Sequence, residues 1–187
     1  MMKTPLLFAL GLTALAACSS AINRVDLVPL QSTLQLRALV GSVLVRTVSL
    51  PSYAAEEEVS VQGPEGLITS DGAILWADDP ERAATLAVSG HLNDILSASV
   101  GPDPWPFAGI PDVTVEVRVT DMLAGNDGVF RLRGQYFIGG DGIEFRRIVR
   151  SFDYAVPLPG EGVSGVAAAQ SQALLQLSED IARGLGS

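Results

Sequence analysis

The 187-residue chain has a single cysteine, Cys18, and a single histidine, His91. One cysteine excludes an internal disulfide and a thiolate metal cluster within the chain. One histidine argues against a multi-histidine metal site, and no cofactor is expected. Lys3 is the only lysine, so arginine supplies nearly all the positive charge. The net charge of −9 makes the chain a poor partner for nucleic acid, whose phosphates it would repel. Charged residues are scarce at 18%, but 48% of the chain is hydrophobic, which separates it from disordered sequences. Its length suits one domain with a real core.

There is one long apolar run, and it stands at the N-terminus. Met1-Met2-Lys3-Thr4-Pro5 is followed by Leu6 to Ala17, interrupted only by Gly11 and Thr13. A short positive region before such a run has the pattern of a secretory signal peptide. The run is too short for a membrane span, which needs about 20 residues. It ends Leu15-Ala16-Ala17-Cys18. This resembles a bacterial lipobox, where a diacylglyceryl group is attached to the cysteine and the preceding segment is removed. Residues 1–17 are therefore expected to be lost, leaving an acylated Cys18 whose several chains give a stable anchor. Ser19, in place of the aspartate that favours inner-membrane retention in familiar diderm bacteria, points by analogy to the outer membrane.

Residues 18–35 read as the lipidated cysteine and a tether, and residues 36–187 as a single domain. Leu36 to Leu50 is rich in Val and Leu and reads as a long strand ended by Pro51. Glu56-Glu57-Glu58 reads as a solvated loop, and Val59–Gln62 as a strand stopped by Gly63-Pro64. Asp71-Gly72 between two apolar runs gives a hairpin signal. Asp79-Pro80-Glu81 is a helix start, with a capping side chain, a proline at the first turn and an acid at the positive end of the dipole. Ala84, Val88, Leu92, Ile95 and Leu96 recur at helical spacing up to about Ser99. Gly101 to Phe107 holds three prolines and must be an extended loop.

Three strands follow. Val113, Val115, Val117 and Val119 alternate with polar residues, as do Phe130, Leu132, Tyr136 and Ile138. A third strand runs from about Ile143 to Val156. Gly125-Asn126-Asp127-Gly128 and Gly139-Gly140-Asp141-Gly142 separate them. Ser164 to Arg183 is a helix with Val166, Ala173, Leu174, Leu177 and Ile181 on one stripe and Gly184 as its stop. The expected fold is α+β: a two-layer sandwich with an antiparallel sheet and two amphipathic helices packed on one face. The other face should be wetter.

The order of these features carries a resemblance. A lipobox, Leu50-Pro51-Ser52-Tyr53, Trp76-Ala77-Asp78, the Pro104-Trp105-Pro106 loop, the valine strand after Pro111-Asp112 and the helix Ala173 to Ala182 follow one another. The chain resembles the PqiC/YmbA family, the auxiliary lipoproteins of ABC-type transport systems, over nearly all of its mature length. The family often has Trp-Ala-Glu where this chain has Asp78. It often has Tyr-x-Leu near the tether, where Val25-Asp26-Leu27 lacks the tyrosine, and this leaves the start of the domain open. The resemblance implies a lipoprotein on the periplasmic face of the outer membrane, docked on an Mce-domain (PqiB-like) conduit protein of a lipid-transport system. It also implies homo-oligomers in the form of rings, and it carries no catalytic residues.

The residues themselves give little support to an enzyme. His91 borders the apolar stripe of its helix, and the pairs Asp78/Asp79 and Glu179/Asp180 suit capping or solvation. Gly139 to Gly142 lies between strands, whereas a phosphate cradle needs a helix start after it. Arginine placement is more informative. With turns centred near Gly125-Asn126 and Gly140-Asp141, Arg118 lies opposite Arg133. Arg131 then lies opposite Thr120 and Arg150, and Arg146 opposite Gln135. All of these would point away from the valine face, provided the register holds. Such a face is either solvated and laced with acids such as Glu116 and Glu144, or a docking surface for an acidic partner or lipid head groups. Trp76 reads as core. Trp105 and Phe107 sit in a proline-stiffened loop that either packs on the core or presents apolar rings to a partner. The leading functional expectation is a non-catalytic accessory subunit of the transport system. A stand-alone periplasmic module that binds a lipid or other apolar ligand is the alternative.

Overall fold

The computed structural model describes residues 21–141 and 143–187. The segment expected to be a signal peptide, the expected lipidation site Cys18 and Ser19, together with Gly142, lie outside the described residues. The elements in chain order are β1 (Asn23–Val25), β2 (Ser42–Val45), α1 (Ser52–Ala55), β3 (Glu58–Gln62), β4 (Ile68–Trp76), α2 (Pro80–Ile95), β5 (Ser99–Pro102), β6 (Val113–Ala124), β7 (Val129–Gly140), β8 (Ile148–Pro157) and α3 (Gly162–Leu185). They form an α+β sandwich: one eight-stranded sheet, with α2 and α3 packed side by side over one face.

The long strand β6 organises the sheet. Its alternating valines, Val113, Val115, Val117 and Val119, are all buried beneath the helices. Antiparallel β7 and β8 continue the sheet on one side of it. On the other side, β2 runs parallel to the Val113 half of β6 and carries β5 beyond it. At the opposite end β3 runs parallel to β6 through Val61 and Ala124, followed by antiparallel β4 and then by β1, parallel to β4. The sheet is thus mixed rather than purely antiparallel. Its N-terminal strands enter from the far side of helices or long connections, which permit parallel pairing, whereas the β6–β7–β8 meander is joined by loops.

Helix α2 starts as its sequence dictates. The Asp79 carboxylate accepts the Arg82 amide at 2.8 Å and Pro80 occupies the first turn. Ala84, Val88, Leu92 and Ile95 form its buried stripe. Other boundaries differ from expectation. Between Leu36 and Leu50 only Ser42–Val45 is strand, and the rest makes isolated bridges. The hairpin turn lies at Gly63–Leu67, where Glu65 and Gly66 both take positive φ and the Gly63 amide bonds the Leu67 carbonyl. Asp71-Gly72 instead falls inside β4, where the pairing with β3 is irregular.

Residues 23–35, expected to belong to a tether, are built into the fold. β1 pairs with β4, the Val28 amide bonds Ser171 Oγ at 2.8 Å, and Ser32 Oγ bonds Glu179 at 2.6 Å. The arrangement has two ends. At the Ala124 end lie the Gly63–Leu67 turn, the 125–128 turn and the start of α3. At the Val113 end lie Leu39, Ile110, the β7–β8 loop and the end of α3. The 24 residues of α3 connect these ends over about 36 Å.

Candidate functional site

The outer face of the sheet is where the arginines were expected to cluster, and the register disperses them. Arg118 stands opposite Gln135, not Arg133, and Arg133 stands opposite Asp121. A bulge at Thr120 and a turn centred later, near Asp127, shift the β6–β7 pairing. The β7–β8 connection spans residues 141–147 rather than a tight turn, which moves Arg131 opposite Ala155 and Arg150 opposite Tyr136. Arg150 therefore lies on the helix side, where it reaches Asp180 of α3 at 3.6 Å. Arg146 falls in the loop and pairs with no strand residue.

Each strand arginine has an acidic neighbour. Arg118 pairs with Glu116 and lies over the Phe137 ring at 5.1 Å. Arg131 pairs with Asp127, whose carboxyl it holds down at about 2. Arg133 sits between Asp153 at 2.9 Å and Asp121 at 3.7 Å. The face is laced with acids, and its strand arginines are paired within the chain. Arg46 and Arg147, which the sequence reading passed over, have no ion pair among the described residues. They border a shallow depression of about 280 Å³ with Thr114, Phe137 and Val149. Arg46 could have been found by extending the strand comparison to β2, whose parallel partner β6 no local signal identifies.

The proline loop does not enter the core. It folds back over Gly101, where an added Cβ would stand 2.7 Å from the Pro106 ring. Trp105 packs edge-on against Phe107 with centroids 4.9 Å apart, and its buried indole N–H has no hydrogen-bond partner. Phe107 is half exposed, and Ile110 and Leu39 are 72% and 62% exposed at the same end. Trp76, by contrast, is core as expected.

A second feature escaped the sequence reading altogether. An apolar groove of about 410 Å³ opens at the Ala124 end. Val59, Val61, Ile74, Leu158, Val163 and Val166 supply its walls, and Thr69, Ser70 and Asp71 part of its rim. These residues come from β3, β4, α3 and the segment before α3, so only the tertiary fold brings them together.

Titratable groups are placed for packing. His91 is buried between the helices, with Nδ1 3.2 Å from Ser178 Oγ, and burial lowers its pKa. The Tyr136 hydroxyl contacts Asp180 at 3.2 Å and is pushed up to about 12, first by burial and then by the Asp180 charge. Among the described residues no group of three or more His, Cys, Asp or Glu side chains could hold a metal ion. No helix among them is long and apolar enough to cross a membrane.

With this geometry in view, residues 27–182 match the family model for the ABC-type transport auxiliary lipoprotein component. The chain belongs to that family. It is an auxiliary transport family rather than an enzyme family, and membership as a lipoprotein indicates the cell envelope. The match begins at Leu27, within the segment that packs on α3. Two solved structures share the auxiliary-component fold. The crystal structure of an uncharacterized protein superposes with a TM-score of 0.63 at 20% identity, covering 87% of this chain and 98% of that one. Protein XCC0632 from Xanthomonas campestris, of family DUF330, gives 0.65 at 15% identity, covering 84% and 92%. No curated protein matches the chain.

Proposed function

We propose that this auxiliary lipoprotein is a non-catalytic, outer-membrane-anchored subunit of an Mce-type lipid-transport system, held at the periplasmic face by acylated Cys18. The observation that carries the reading is the family match over residues 27–182, which begins nine positions after the lipobox cysteine Cys18. The fold supports a tethering role. Its anchored end lies at the start of β1, and α3 carries the opposite end about 36 Å away. That distal end bears the exposed apolar side chains a docking surface needs, Phe107, Ile110 and Leu39, with the half-buried Trp105 behind Phe107 and with Arg146 and Arg147 at the same end. Arg118, Arg131, Arg133 and Arg150 would add directional contacts to a partner only by exchanging their present acids. Homo-oligomers would bring several such ends to one conduit.

Affinity capture from cells carrying the parent and a Cys18→Ala variant tests the reading. An Mce-domain conduit protein should be retained by the parent at the outer membrane, while the variant loses membrane attachment. The apolar groove favours a second reading, a stand-alone module that binds one apolar ligand. Co-purified lipid without any Mce-domain partner would select it.

A further inference from the structure

The turn between β3 and β4 is apolar where a solvated turn is normally polar. Leu67 is 63% and Ile68 43% exposed, and Ile22, just before β1, is 61% exposed. Leu67 and Ile68 stand at the Ala124 end, and β1 begins beside Ile74, six positions further along β4. β1 runs parallel to β4, so the chain enters β1 from the same end at which β4 begins with Ile68. Cys18 precedes Asn23 by only five positions. At ~3.6 Å per residue the connection spans at most about 18 Å. An anchor at Cys18 therefore cannot hold the domain at a distance.

We propose that the β3–β4 turn is a bilayer contact, with Leu67 and Ile68 seated in the lipid surface to which Cys18 is attached. The proposal rests on the acylation of Cys18 in the functional reading above. It makes the domain stand upright, with Ile110 and Phe107 directed into the periplasm. The contact is apolar rather than electrostatic. The turn itself carries Glu65, the neighbouring rim carries Asp71, and neither the turn nor the groove lining includes a basic residue. Zwitterionic lipid should therefore suffice, and the groove wall extends the apolar surface inward from Thr69.

The test uses the full-length acylated protein in vesicles of phosphatidylethanolamine and phosphatidylcholine. Acylation blocks the Cys18 sulfur, so Leu67→Cys offers one free thiol for an environment-sensitive fluorophore, and Ile110→Cys provides the distal control. Doxyl-labelled lipid should quench most of the emission at position 67 and leave position 110 unchanged, and aqueous iodide should do the reverse. Equal exposure to iodide at both positions, or lipid quenching at 110 alone, overturns the proposal. Mass spectrometry of the same sample reads the acyl groups. An unmodified Cys18 overturns the tether reading itself, whereas acylated protein with a water-exposed position 67 overturns the bilayer contact alone.

Discussion

The Tyr53 hydroxyl donates to Asp121 Oδ1 at 2.9 Å and accepts the Met122 amide at 3.1 Å. The bond pins the strand just after the bulge at Thr120. Tyr53 belongs to the Leu50-Pro51-Ser52-Tyr53 segment, and the other members are equally structural: the Leu50 amide bonds Glu81, and Pro51 leads into α1. Tyr53→Phe leaves the Met122 amide without its partner and should cost about 1–3 kcal/mol. Urea unfolding of the variant and parent checks this.

Gly134 faces the same bulge from β7. A Cβ there would stand 2.2 Å from the Arg118 carbonyl oxygen and 2.8 Å from the Phe152 ring. Gly134→Ala should therefore cost at least the ~1–3 kcal/mol typical of an overpacked core. A fall in thermal midpoint, with loss of near-ultraviolet circular dichroism at lower denaturant, is the expected signature.

His91 gives a pH dependence with a definite sign. Its folded pKa lies below 6.5 because burial disfavours the imidazolium, although Asp94 and Glu179 pull the other way. The unfolded state binds the proton more readily, so His91's contribution is present above pH 6.5 and is lost as pH falls below it. Unfolding free energies at pH 7.5 and 5.5 should differ less in His91→Asn than in the parent.

The outer-face arginines make a discriminating pair of variants. Arg133→Gln removes two surface ion pairs, to Asp153 and Asp121, and should change stability by only about 0–1 kcal/mol for each. Charge reversal at Arg131 and Arg133 should weaken capture of an acidic partner while the fold persists. Capture at parental level by the folded double variant assigns this face to solvent alone.

What could be read from sequence and what could not divide along a physical line. The start of α2 at Asp79-Pro80 and the valine face of β6 are local patterns, and the structure reproduces them. The parallel neighbours β1, β2 and β5 depend on pairings between distant segments, and β5 is four residues that include Gly101 and Pro102. The arginine register failed for a similar reason. One extra residue at Thr120 and a long β7–β8 loop changed which side chains face each other, and neither leaves a pattern in composition. The groove and the apolar turn were invisible because their residues become neighbours only in the finished fold. The segments most specific to the family, including Trp76, turn out to hold the fold together rather than to mark a site.

The way residues 27–39 lie along the helices has a consequence for assembly. Val28 and Ser32 bond α3 at Ser171 and Glu179, and the Arg37 amide and carbonyl bond Ser187. Part of what the early chain binds, Ser171, Glu179 and Ser187, is therefore synthesised last, although Leu36 also bonds Ile95 and Ser97. Closing such distant contacts is slow. The seam between the N-terminal segment and α3 thus cannot close until the chain is nearly complete.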